Sequence, residues 1–105
     1  MTAYVIIIRN ETRAPEHFTD YFRLAPLAPH QHARFVAKNS AFEVLEGAPA
    51  ETVVIVSFPS MEEARAWYYS DAYQAAVKHR LKAADYRTIL IDGAVNLPPP
   101  ADKTD

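Results

Sequence analysis

From Thr52 to Phe58 the chain reads Thr-Val-Val-Ile-Val-Ser-Phe, and four successive positions, Val53 to Val56, are apolar. Side chains along a strand point to alternate faces, so this segment makes any sheet it joins apolar on both sides. Tyr4 to Ile8 and Ile89 to Ile91 repeat the pattern. Each Val or Ile left in water forfeits about 1.5–3 kcal/mol, so both faces need cover. A chain of 105 residues has material for one domain, taken as residues 1–95, and too little for a second. What covers the second face is therefore the question that governs the fold.

Composition narrows the answer. Half the residues are apolar, 23% are charged and the net charge is −2. That is a globular balance with no electrostatic footprint for nucleic acid or an anionic membrane. Without cysteine there is no disulfide, no thiolate nucleophile and no Cys-bound metal. MTAYVIIIRN lacks a basic n-region, and no run approaches the ~20 apolar residues of a membrane span. The expectation is a cytoplasmic protein with neither membrane nor nucleic-acid partner. Gly47 and Gly93 are the only glycines, which excludes phosphate-cradling loops and a dinucleotide fingerprint; Gly-x-Ser-x-Gly is absent as well.

Along the chain, Tyr4 to Ile8 predicts a first strand. Ala14-Pro15-Glu16 opens a helix, with Thr12 as cap; proline and an acid both suit its first turn. Phe18, Tyr21, Phe22 and Ala25 form one helical face, which Pro26 and Pro29 break near Ala25. Arg34 to Lys38 and Ala41 to Leu45 read as two strand pieces around Lys38-Asn39-Ser40, either a hairpin or one strand bent at a bulge. After the turn at Glu46 to Pro49 comes the strand Thr52 to Phe58. Ser60-Met61-Glu62-Glu63 is a capping box, with the Glu63 carboxylate reaching back. Ser70 or Asp71 caps a further helix to about Ala84, and Tyr86 to Asp92 is the last strand. Residues 96–105 form a Pro-rich, mobile tail.

The order β-α-β-β-α-β is a split βαβ: an α+β, ferredoxin-like layout of four antiparallel strands with helices on one face. The opposite face would be open, yet three of its strands are apolar on both sides. A second copy of the same chain, face to face by two-fold symmetry, is the economical cover. The expected product is a homodimeric α/β barrel.

The stretch FPSMEEARAWYYSDAYQAAVKHRLKAAD, residues 58–85, carries Phe-Pro-Ser, then Ala-x-x-Trp-Tyr, Ser-x-x-Tyr-Gln, an Arg and an Ala-Asp. With AYVIIIRN and FEVLEG (residues 42–47) it resembles the domain-of-unknown-function 1330 family of the dimeric α/β-barrel superfamily, over most of residues 3–93. The resemblance implies the barrel but no particular chemistry. Related barrel families include cofactor-free monooxygenases, lactone isomerases and haem-handling enzymes. Relatives tend to carry Gly-Gly-Arg and Arg-Gly-Gly where this chain has His32-Ala33-Arg34 and Lys38-Asn39-Ser40.

Arg80 is the candidate with the most chemical content. It shares a stripe with Tyr73, Ala76, Val77, Leu81 and Ala84, and a cation in a packed face needs a partner. Two readings stand: an anion clamp in a pocket between helix and sheet, or a structural ion pair with Asp85 or Glu43, the plainer of the two. His30-Gln31-His32 would put both imidazoles on one side if extended, but no third ligand has recognisable spacing. The pair is therefore read as surface or cleft histidines, with no metal assigned; either can serve as a base near neutral pH. Trp67-Tyr68-Tyr69 must point three ways on a helix, as core and interface. Glu62-Glu63 is a solvated capping pair, since adjacent helical residues do not face each other.

The functional expectation is a small, mostly apolar pocket per subunit that binds a small organic molecule through Arg80, Arg34, Tyr73 and Trp67, without cofactor. The alternative is a cofactor-free monooxygenase or isomerase acting on a small organic acid or lactone, with His32 or Asp85 as base and Arg80 holding the anion.

Overall fold

The computed structural model describes residues 2–27 and 30–95; Pro29 and the Pro-rich tail expected at 96–105 lie outside them. Strands β1 (Ala3–Thr12), β2 (Arg34–Ala37), β3 (Thr52–Phe58) and β4 (Ala84–Asp92) form one antiparallel sheet in the order β2-β3-β1-β4. Between them run α1 (Phe18–Leu24), α2 (Met61–Tyr68) and α3 (Asp71–Ala83), with single 3-10 turns at Pro15–His17 and Ala25–Leu27 flanking α1. This is the split βαββαβ arrangement. No helix among the described residues is long and apolar enough to cross a membrane.

Register decides which apolar residue goes where. Val5 lies opposite Val56 and Leu90, and Ile7 opposite Val54. These residues point at the helices, and Val5, Ile7, Val56, Phe58 and Ala64 of α2 form the main core. Tyr73 and Val77 of α3 close a second cluster with Tyr21, Ala25 and Trp67. One position on, Ile6 lies opposite Ile55 and Ile89, and Ile8 opposite Val53. These side chains point away from the core, and on that face Ile89 and Ile91 are 38% and 50% exposed. In the single chain the greasy second face is wet.

The helix starts follow local chemistry. The Ser60 hydroxyl accepts from the Glu63 N–H at 3.1 Å, and the Ser70 hydroxyl accepts from the Tyr73 N–H at 3.2 Å. Pro15 opens its 3-10 turn from Ala14 with no side-chain cap, so Thr12 is not the cap expected. Thr12 remains in β1, where its N–H and hydroxyl both donate to the Glu51 carboxylate; a charged acceptor outcompetes a helix turn. Leu81 is also off the buried stripe, 50% exposed, while Ala83 takes the inward position.

The second strand is shorter than expected. β2 ends at Ala37 after a register slip beyond Phe35, and Asn39 adopts φ 55°, a left-handed conformation that asparagine tolerates better than most residues. It stands where the resemblance would place glycine. Residues 41–45 form no strand: β2 pairs only with Ile55, Val56 and Ser57, and the chain leaves the sheet at this turn. Phe42, Val44 and Leu45 are exposed. At the far end of the sheet, the Gly93 N–H donates to the Thr2 carbonyl at 2.7 Å. A Cβ at Gly93 would lie 2.5 Å from that oxygen and 2.9 Å from the Tyr4 ring, so a side chain has no room there.

Candidate functional site: a cationic cavity

A cavity of about 600 Å³ opens between the sheet and the helices, a volume suited to a small organic ligand. Ile7, Arg9, Val54, Val56 and Tyr86 form its sheet wall. Tyr21, Phe22 and Ala25 come from α1 and the turn after it, Trp67 from α2, and Tyr73 and Arg80 from α3. His30, Arg34, Phe35, Lys38 and Asn39 line it from β2 and its flanks. Among the described residues the wall thus holds Arg9, Arg34, Lys38 and Arg80 and no Asp or Glu, although the whole chain carries net charge −2. Arg9 is neutralised by Glu51, Nε to Oε1 at 2.9 Å. Arg34 donates to the Gln31 and Ala33 carbonyls at 2.9 and 2.8 Å. Lys38 sits 4.3 Å over the Phe35 ring.

Arg80 differs from these. It is 2% exposed, and none of the ion pairs among the described residues includes it. Its Nη1 donates to the Tyr73 hydroxyl at 3.1 Å, while its Nε has no acceptor among the described residues. The guanidinium carbon lies 4.7, 5.5 and 5.9 Å from the centroids of Tyr86, Tyr21 and Tyr73, and such ring faces offset part of the cost of burial. Neither carboxylate considered as a structural partner serves. Asp85 is exposed and accepts from Asn10 Nδ2 at 3.3 Å, and Glu43 is exposed to solvent. The Tyr73 hydroxyl also contacts the Tyr21 hydroxyl at 3.0 Å. Burial pushes the Tyr73 phenol far above its ordinary pKa, and burial raises Tyr86 as well. Tyr73 therefore remains protonated and neutral beside the cation.

Of the residues expected at a site, Arg80, Arg34, Tyr73 and Trp67 line this cavity together; His32 and Asp85 do not. Trp67 lies 4.0 Å from Tyr73 and 5.2 Å from Phe58, ring centre to ring centre, and Tyr69 points out to solvent. Tyr21, Tyr86 and His30 line the cavity too; the sequence offered His30 as a cleft histidine, while Tyr21 and Tyr86 were not among the residues assigned to the site. Tyr21 had a signal, its place on the α1 stripe. Tyr86 had another, since it alternates inward with Thr88 and Leu90.

His32 belongs to a second cluster. The Glu63 carboxylate, expected to reach back over its own helix start, instead accepts from His32 Nδ1 at 2.9 Å, and His30 Nε2 lies 3.2 Å from the same oxygen. The capping box is half made, because the His32 imidazole offers Glu63 a better donor than a backbone amide. The His30 ring stands edge-on to Phe58, centroids 5.3 Å apart, and its Nδ1 accepts from the His32 N–H at 3.2 Å.

An antiparallel β2-β3-β1-β4 sheet carrying its helices on one side defines a ferredoxin-like α+β protein. The chain belongs to the family described as Domain of unknown function (DUF1330), whose model matches residues 2–94. Among solved structures it is similar to the RPA0582 protein of unknown function from Rhodopseudomonas palustris, with 22% identity over 93% of this chain and 84% of that one and a TM-score of 0.62. A dimeric ferredoxin-like protein of unknown function from Thermobifida fusca aligns with 14% identity over 87% and 90% of the two chains, TM-score 0.57. A mutant form of SnoaB, a cofactor-independent oxygenase from Streptomyces nogalater, aligns with 14% identity over 93% and 97%, TM-score 0.54. At these identities the likeness is one of fold. No curated protein matches the chain.

Proposed function

We propose that the protein binds a small organic anion, most simply a carboxylate on an aromatic or branched apolar frame, with Arg80 as its anchor and the protein working as a homodimer. One observation carries the reading: a guanidinium buried to 2% exposure has an unsatisfied Nε, no acidic partner among the described residues and a cavity in front of it. An unpaired buried charge is costly, and an anion entering the cavity supplies the missing partner as a charge-assisted hydrogen bond. Tyr21, Trp67, Tyr73 and Tyr86 offer flat apolar surface to the rest of the ligand. The homodimer reading rests on the wet isoleucine face, and a dimeric ferredoxin-like neighbour supports it.

Trp67, the only tryptophan, reports on the site directly. Benzoate titrated into the protein should change Trp67 fluorescence saturably, with acetate much weaker, and Arg80→Met should abolish the response. Equal responses from the wild type and Arg80→Met would remove Arg80 from the site. The catalytic alternative needs a base facing the same cavity; His30 lines it, whereas His32 and Asp85 do not. Its support is that His30 position and the fold shared with a cofactor-independent oxygenase. A bound acid recovered unchanged after aerobic incubation favours binding alone; a new product that disappears in His30→Ala favours catalysis.

A further inference from the structure

We propose that His30, His32 and Glu63 form a binding site for a divalent transition-metal ion, with zinc the best match to the donor set. One donor atom from each of the three residues lies within 4.8 Å of the other two. Two imidazole nitrogens and a carboxylate oxygen are the borderline-soft N/O ligands that zinc takes, and three protein ligands leave a fourth tetrahedral position open. Bonds of 2.0–2.1 Å at tetrahedral angles put donor atoms about 3.3 Å apart. The Glu63 Oε1 lies 2.9 Å from His32 Nδ1 and 3.2 Å from His30 Nε2, so these two spacings need to open by only a few tenths of an ångström.

The scaffold under these donors is fixed. His30 is held against Phe58, a core residue. Glu63 sits in the first turn of α2, whose start is capped by Ser60. In the metal-free state an ionised carboxylate can only accept, so both ring nitrogens facing it carry protons. Loading an ion moves each of those protons to the other ring nitrogen. His30 Nδ1, now an acceptor for the His32 N–H, becomes a donor, and that amide turns to water. The cluster lies beside the Arg80 cavity and shares His30 with its wall, but the proposal does not depend on what that cavity binds.

Zinc chloride titrated calorimetrically into chelator-stripped protein should bind at one ion per chain and raise the melting temperature through linkage. Cobalt(II) at the same site should show the intense visible absorption of tetrahedral coordination. His32→Ala and Glu63→Gln each remove a ligand, and each should weaken zinc binding by more than the roughly 10–100-fold typical of losing an outer-shell partner. His32 is exposed and the Ser60 cap uses the Glu63 backbone, so both variants should fold, as circular dichroism would verify. His79→Ala, at a histidine 3.8 Å from Asp20, should leave binding unchanged. Zinc affinity that is the same in His32→Ala and Glu63→Gln as in the wild type, or that falls alike in all three variants, would overturn the site.

Discussion

At Arg80 the two possible roles predict opposite stability results. A cation kept for structure makes any replacement destabilising. A cation kept for a ligand makes an apolar replacement of similar length harmless, because burying a charge costs more than three ring faces and one hydroxyl return. Arg80→Met should therefore match or exceed the wild type in urea midpoint while losing the benzoate response. Arg80→Ala, which also empties a packed site, should cost roughly 2–4 kcal/mol. A large loss in Arg80→Met would make the residue structural. The stripe on α3 showed that Arg80 is buried, since periodicity reveals which face is packed. The absence of a partner was not legible, because Asp85 and Glu43 are near in sequence or plausible in register, and only the folded chain assigns Asp85 to Asn10. Glu63 was hidden for the same reason. A capping position predicts where its backbone goes, whereas its carboxylate takes the best donors that the fold delivers, here from 31 residues away.

Elements were legible where apolar runs or capping residues mark them. β3 spans Thr52–Phe58, the segment built around its unbroken apolar run, and Ser60 and Ser70 start their helices. Residues 41–45 were not legible as non-strand, because alternation shows that a segment is able to pair and not that a neighbour is within reach. The start of α1 was misjudged through Thr12, whose hydroxyl serves a contact between β1 and the entrance of β3. That contact has a pH signature. Hydrogen bonds from the Thr12 side chain and backbone, with Arg9 adding its charge, hold the Glu51 carboxyl below its ordinary value of 4.5. A carboxyl depressed in the folded state contributes stability above its unfolded pKa and loses it as pH falls through the folded one. The stability difference between wild type and Glu51→Gln, read from urea midpoints, should thus be steady from pH 7 to about 5 and shrink towards zero below about pH 4. The effect is modest, since the group is exposed and solvent-screened. A difference that does not change with pH would show that the carboxylate's charge is irrelevant to this corner.

For the whole molecule, the two-sided greasiness of three strands announced a covered second face, and the single chain leaves that face wet. At native mass spectrometry and sedimentation the wild type should be a dimer at micromolar concentration, and Ile89→Lys, which puts a charge on the face, should be a folded monomer. Wild-type protein that sediments as a monomer with the same melting temperature at every concentration would mean that something else shields the isoleucines. The Thr2–Gly93 contact sets the exits of the chain as well. Strands β1 and β4 are stapled together at that corner, with no room there for a methyl group, so whatever is spliced ahead of residue 2 or behind residue 93 departs from one and the same corner. Tags joined directly at Thr2 and Gly93 would therefore start side by side.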